Sequence, residues 1–243
     1  MKKQEYVKNV FTDIASIYDV MNEVITLGML KKWRDAVVDI SGVSTGDRVL
    51  DVCTGTGEMV FLLAKKVGLN GEVIGLDNCP DMLRIAQRKT KLFTDSFFPS
   101  ERISFIDGDA LALPFSLNTF NCVTTTFALR NLTDISKAVE EMFRVCKKNG
   151  RVICLEISEP ANPFLQAGFK LYFHRLIPLL GRIIGQGQKI KEGYPAYTWL
   201  SKSLNGFPQG KEMARIFAEA GLKDITYHPL TGGMVTIYFG VKK

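Results

Sequence analysis

Five charged side chains, Asp51, Asp77, Asp109, Arg130 and Glu156, fall at or just past the ends of short apolar runs. Carboxylates placed there accept from hydroxyl and amino groups, and a guanidinium steadies negative charge. The segment DVCTGTGEM adds Gly55 and Gly57, whose bare backbone lets a ligand approach a helix N-terminus. A plain tight turn is the other reading of a lone Gly-Thr-Gly, and Val60 stands where a dinucleotide loop would carry a third glycine. Asp51 and Glu58 flank the loop, so a pyrophosphate would meet two carboxylates. Charges 4 Å apart interact by about 1 kcal/mol in water and about 4 kcal/mol at an effective dielectric near 20. That repulsion disfavours a dinucleotide. The same charges favour a ligand that carries an ammonium and a sulfonium.

These residues need a scaffold that aligns the ends of several strands. Apolar runs at 49–52, 71–77, 103–109, 121–127 and 150–157 read as strands, with helical spacing after each glycine loop or turn. Helices are expected over 59–67, from Pro80 through Met82, Leu83 and Ala86, and over 134–147. Strands alternating with helices predict an α/β fold, a doubly wound, mostly parallel sheet that binds ligands past its carboxyl ends. Residues 5–40 have helical spacing interrupted at Gly28, and the tail predicts a helix at 209–220 and two strands, DITYHPL and MVTIYFGVK. The expected organisation is a single domain over 1–243. It comprises an N-terminal helical flap at 1–45, a cofactor-binding core at 46–158, a helical cap at 159–205 and a C-terminal helix with strands at 206–243.

The 243 residues are 46% hydrophobic and 23% charged, as in ordinary globular chains. No apolar run is long enough for a membrane span, and no apolar signal core follows the basic N-terminus. The five cysteines form no CxxC pair and read as buried thiols in a reducing cytoplasm, so no metal site is expected. The net charge of +6 is scattered, without a basic stripe or interleaved aromatics, so nucleic acid is not an expected partner.

Asp77 is placed to accept ribose hydroxyls, which an NAD site shares. Asp109 is placed to accept from an adenine amino group, with Ala110 offering a backbone N–H. Each Asp alone also fits a helix cap. Acids at the ends of three successive strands fit a cofactor better, and S-adenosyl-L-methionine carries the ammonium and sulfonium that the loop favours. An NAD-dependent oxidoreductase remains the rival reading.

The motifs VLDVCTGTGE, GLDNCPDML, GDALALPF and RVCKKNGRVICLE resemble those of class I S-adenosylmethionine-dependent methyltransferases. The segments IYDVMN and FALRN, with YFHRLIP, YTWLSKSLNGFP and LTGGMVTIYFGVK, are similar to the menaquinone and ubiquinone biosynthesis C-methyltransferases. Ala128 replaces a family glycine, and Cys53, Thr54 and Glu58 depart mildly from the family loop. The resemblance implies a seven-stranded sheet with an antiparallel last strand. It also implies Thr56, Asp77, Asp109, Ala110 and Thr126 as cofactor contacts, and Asp51, Gly55, Gly57, Asn78 and Met82 complete the expected set. The implied reaction is ring-carbon methylation of a polyprenylated quinol, such as demethylmenaquinol. A methyltransferase for another lipid-like or small acceptor is the alternative.

In that reaction a deprotonated ring hydroxyl makes the ortho carbon nucleophilic, and the protein aligns the ring and stabilises the oxygen. Arg130 is expected to act electrostatically there, with Asn131 orienting water or quinol. Tyr18 and Asp19 are expected to close the site, beside Asn22 and Phe127 on the substrate side; a helix-packing cluster is the other reading of the first three. His174 is a candidate proton acceptor, or else a satisfied core histidine. The cap residues Phe164, Phe169, Leu171, Phe173, Leu176, Ile177, Leu179 and Leu180 offer the prenyl tail a route, or simply pack. Lys170, Arg175 and Arg182 could touch anionic head groups in peripheral contact with a membrane. The ring type, the tail length and the oligomeric state, a homodimer included, are not legible.

Overall fold

The computed structural model describes residues 3–93, 100–184 and 195–243. The N-terminal segment forms α1 (Lys3–Ile14), a 3-10 turn and α2 (Tyr18–Ile25), then α3 (Leu30–Ser41). The core alternates β1 (Arg48–Val52), α4 (Glu58–Val67), β2 (Glu72–Asp77), α5 (Pro80–Phe93), β3 (Ile103–Asp107), β4 (Phe120–Thr126), α6 (Ile135–Val145) and β5 (Cys146–Ile157). The cap contributes α7 (Pro163–Leu171), a π-helical turn (Tyr172–Leu176), α8 (Ile177–Ile184) and α9 (Ala196–Lys202). The chain ends with α10 (Lys211–Glu219), β6 (Lys223–Leu230) and β7 (Val235–Val241). The part of the cap over 185–194 lies outside the described residues.

The sheet has seven strands in the order β3-β2-β1-β4-β5-β7-β6. Strands β1 to β5 pair in parallel, and β7 runs antiparallel to both β5 and β6. The strand order reverses between β1 and β4, so a crevice opens there, past their carboxyl ends.

Alternation along each strand feeds two cores. Leu50, Val52, Val123 and Val152 face α5, α6 and α10, while Val49, Cys122 and Ile153 face α3 and α4. Local signals set several helix ends. The Asp134 carboxylate accepts from Lys137 N–H to cap α6, and the Asn162 side chain caps α7 ahead of Pro163.

Two differences from the sequence expectation bear on the site. Strand β3 stops at Asp107, so Asp109 sits in the loop beyond it rather than at the strand end. Strands β1 and β4 are each followed by a non-glycine residue in the left-handed region, Cys53 and Phe127, both at φ +58. Such backbone is costly and persists where surrounding structure holds it. These two neighbouring turns splay the chain and open the crevice.

Candidate active site

Two adjoining cavities occupy the crevice. The smaller, about 70 Å³, is lined by Asp77, Asn78, Met82, Asp109 and Ala110. The larger, about 400 Å³, is lined mostly by apolar and aromatic side chains of the flap, the cap and the ends of β1 and β4. Phe11, Tyr18, Cys53, Gly55, Thr126, Phe127 and Asn131 belong to both linings.

The glycine loop is anchored from below. Both oxygens of Asp77 accept backbone N–H bonds, from Gly55 at 2.8 Å and Cys79 at 2.9 Å. Each oxygen keeps a further lone pair for a ligand hydroxyl. Burial pushes the Asp77 carboxyl above its ordinary range. Gly57 takes φ +82, and a Cβ there would lie 2.9 Å from the Phe105 ring, so glycine is required at this turn.

Asp51 is almost wholly buried. Thr124 donates to its Oδ1 at 2.8 Å, and its Oδ2 has no hydrogen-bond partner. Burial pushes its pKa up to about 6, against the pull of Thr54, Thr124 and the positive charge of Arg34. Asp51 lines neither cavity and lies beneath the loop that does; a buried carboxylate oxygen without a partner favours a donor, and a cation satisfies it best.

Glu58 does not share that duty. Its carboxylate pairs with Lys89 on α5. The expectation of two free acids around the loop is corrected to one, because helix α4 turns Glu58 toward α5. The same Lys89 pairs with Asp19 Oδ2 at 2.6 Å, and the Thr56 hydroxyl donates to Asp19 Oδ1 at 2.6 Å. Asp19 therefore ties the flap to the loop rather than facing either cavity, while Tyr18 and Asn22 line the larger one.

Asp109 Oδ1 accepts from Leu111 N–H and Oδ2 from Gln4 Nε2 at 3.1 Å, which places α1 across the smaller cavity.

The end of β4 holds the second polar group. Arg130 Nη1 lies 2.6 Å from Glu156 Oε2, with side-chain exposures of 4% and 0%, and also donates to the Phe127 carbonyl. Arg130 lines the larger cavity, its charge is paired with Glu156, its Nε is buried without a partner, and the arginine braces the left-handed Phe127. Asn131 Oδ1 accepts from Trp199 Nε1 at 3.1 Å, which ties the strand end to the cap.

His174 is not brought to the site. It stands edge-on to Phe173 and does not line either cavity, because the π-helical turn sends Tyr172 and Phe173 inward instead. The expectation of His174 as proton acceptor is withdrawn on that ground. Sequence reading missed Arg34, Tyr172, Tyr197 and Trp199, all in the larger lining. Tyr172, Tyr197 and Trp199 lie in the segments YFHRLIP and YTWLSKSLNGFP without an assigned role, and only the convergence of α3 and the cap shows that all four line one cavity.

A model of the ubiE/COQ5 methyltransferase family matches residues 1–242. The chain belongs to that family. Curated relatives agree over almost the whole length. A demethylmenaquinone methyltransferase of Bacillus pumilus (strain SAFR-032) is 40% identical over 240 residues, covering 99% of this chain and 98% of the relative. That of Bacillus subtilis (strain 168) is 39% identical over 240 residues, with 99% and 98% covered. Among solved structures, a SAM-dependent methyltransferase from Aquifex aeolicus superposes with a TM-score of 0.61 at 18% identity, over 86% of this chain and 89% of that one. A Haemonchus contortus phosphoethanolamine methyltransferase gives 0.63 at 15% identity, over 88% of this chain and 53% of that one. At such identities these structures speak to the fold alone: the seven-stranded sheet is the methyltransferase sheet. The family's members are methyltransferases.

Proposed function

We propose that the chain transfers a methyl group from S-adenosylmethionine to a ring carbon of a polyprenylated quinol, converting demethylmenaquinol to menaquinol. The observation that carries this reading is the pairing of an acid-lined cleft with an apolar cavity of about 400 Å³ across a shared wall. The curated relatives' name supports the naphthoquinol over a benzoquinol.

The residues fit the cofactor. The open Oδ2 of Asp51 would take its ammonium, and Arg34 beside Asp51 would take its carboxylate. Asp77 would hold the ribose hydroxyls, with Asn78 and Met82 alongside. Asp109 and Ala110 would meet the adenine. Bound cofactor supplies an electrophilic methyl on a sulfonium. Thr126, Phe127 and Tyr18 lie in both linings, so they flank the point where methyl and ring carbon meet. The chain's contribution there is alignment and exclusion of water, with Arg130 and Asn131 holding the wall rigid.

The decisive assay is anaerobic methyl transfer from labelled S-adenosylmethionine to demethylmenaquinol and, separately, to a demethylated benzoquinol. Label in the naphthoquinol product is expected. Label in neither would leave only the methyltransferase class standing.

Among the described residues no helix is long and apolar enough to cross a membrane. The cap nevertheless exposes Phe164 (90%), Leu171, Leu176 and Leu179 next to Lys170, Arg175 and Arg182. The same helices line the larger cavity through Phe169, Tyr172 and Ile177. Apolar side chains with a basic rim suit the surface of an anionic bilayer, from which the prenyl tail would enter. Co-sedimentation with phosphatidylglycerol vesicles is expected, weakened by salt and reduced roughly tenfold in Phe164→Glu/Leu171→Glu, about 0.7 kcal/mol per lost contact. Equal binding to uncharged vesicles would refute the basic rim's part.

A further inference from the structure

One phenol in the wall of the larger cavity has a buried hydroxyl without a partner. Tyr197, on α9, is 6% exposed, and its oxygen is buried without a hydrogen bond. Its ring lines the cavity. Buried phenols ordinarily find a partner, and an orphaned one is a loss to the fold.

A second loss stands beside it. Gly181 lies inside α8, where glycine is worse than alanine. A Cβ at Gly181 would come within 2.5 Å of Tyr197 Cβ and Cδ2. The missing side chain makes room for the Tyr197 ring. Two unfavourable choices, at positions 181 and 197 on successive helices, thus converge on one unpaired hydroxyl in the cavity wall.

Elsewhere in that wall Thr54 Oγ1 and the Nε atoms of Arg34 and Arg130 are also buried without a partner, while other polar atoms are engaged. Arg130 is bound to Glu156 and the Phe127 carbonyl, Asn131 to Trp199, and the Tyr172 hydroxyl to the Ile25 carbonyl. Tyr18 also lines the cavity and is close enough to act electrostatically on Tyr197. Burial first, and Tyr18 second, push the Tyr197 hydroxyl well above the usual phenol range, so it stays a neutral donor.

We propose that the Tyr197 hydroxyl donates the hydrogen bond that positions an oxygen of the acceptor ring, and that Gly181 is the residue that lets it stand there. The assignment rests on the quinol reading above. No proton leaves Tyr197. Its bond to the ring oxygen strengthens as that oxygen gains negative charge, which is the condition for lowering the barrier.

The test is Tyr197→Phe, assayed anaerobically on demethylmenaquinol with saturating S-adenosylmethionine. Loss of one such donor is expected to cut kcat by about 100-fold. Cofactor affinity by calorimetry should be unchanged, and Tm should equal or exceed that of the parent protein, since an unpaired buried hydroxyl is removed. Gly181→Ala, which displaces the ring without removing the hydroxyl, is expected to lower kcat in the same direction. A Tyr197→Phe protein with parental kcat overturns the assignment, and so does one whose Tm falls, because that would mean a structural hydrogen bond. A parent protein that leaves demethylmenaquinol unmethylated sinks the quinol reading and this assignment together. A parent that turns over beside an unimpaired variant sinks this assignment alone.

Discussion

Replacing Arg130 by alanine is expected to cost the fold as well as the reaction. Arg130 and Glu156 are both buried, and Nη1 and Oε2 lie 2.6 Å apart. Removing one member of such a pair typically costs about 3–5 kcal/mol, since the other charge is left in an apolar setting. For a chain of this length that is a fall in Tm on the order of 10 °C. Burial already holds the Glu156 carboxyl above its ordinary range, with Arg130 opposing it. Without the guanidinium Glu156 would protonate and recover part of the loss. The Phe127 turn would lose its brace at the same time, and methyl transfer should fall below detection. The informative companion is Arg130→Met with Glu156→Leu. Apolar replacement of both partners is often neutral or stabilising, so this protein should recover Tm and cofactor binding. If its turnover recovers too, the pair serves the fold only. Should Arg130→Ala keep its parental Tm, the mutual dependence argued here is wrong.

The second large effect belongs to Asp51. Asn at this position keeps the bond from Thr124 but loses the charge facing the cofactor ammonium. A hydrogen bond to a charged group contributes about 1.5–3 kcal/mol, so calorimetry should show cofactor affinity roughly 10–100-fold weaker. The pH dependence separates charge from shape. Burial raises the Asp51 pKa from 3.8 to about 6. The parent's dissociation constant should therefore rise about tenfold per pH unit below 6, whereas Asp51→Asn should lack that dependence. Stability moves the other way. The fold holds the Asp51 proton more tightly than the unfolded chain does, so this group's contribution is full below pH 4 and is lost as pH rises through 6. The burial penalty above pH 6 is about 3 kcal/mol, and Asp51→Asn at pH 8 should melt no lower than the parent. A cofactor affinity flat from pH 5 to 8 in the parent would remove Asp51 from the ammonium site.

Much of the core was legible because its signals are local. Val49 to Val52 form a short apolar run before a glycine turn, the mark of a strand buried on both faces, and β1 follows from it. Gly55 and Gly57 mark the loop, and Asp77 marks the next strand end. Asp109 was found as a residue but misplaced by two positions, because the strand pairs with β2 only as far as Asp107. Electrostatic roles transferred less well. Glu58 and Arg130 are expected to present charge to a ligand, yet each pairs with a counter-ion, Lys89 and Glu156, on a different element.

The sequence by itself determined the parallel sheet, the glycine turn, the acids at the strand ends and the family. These depend on spacing within a dozen residues and on motifs that survive whole. Tertiary structure alone decided which polar groups remain available. It spent Arg130 on Glu156, turned Asp19 onto Thr56, left His174 outside and set Tyr197 against Gly181 with its hydroxyl unpaired. The physical reason is that a buried charge or hydroxyl is defined by its partner. Here the partners come from separate helices and strands that meet only when the flap and cap close over the sheet.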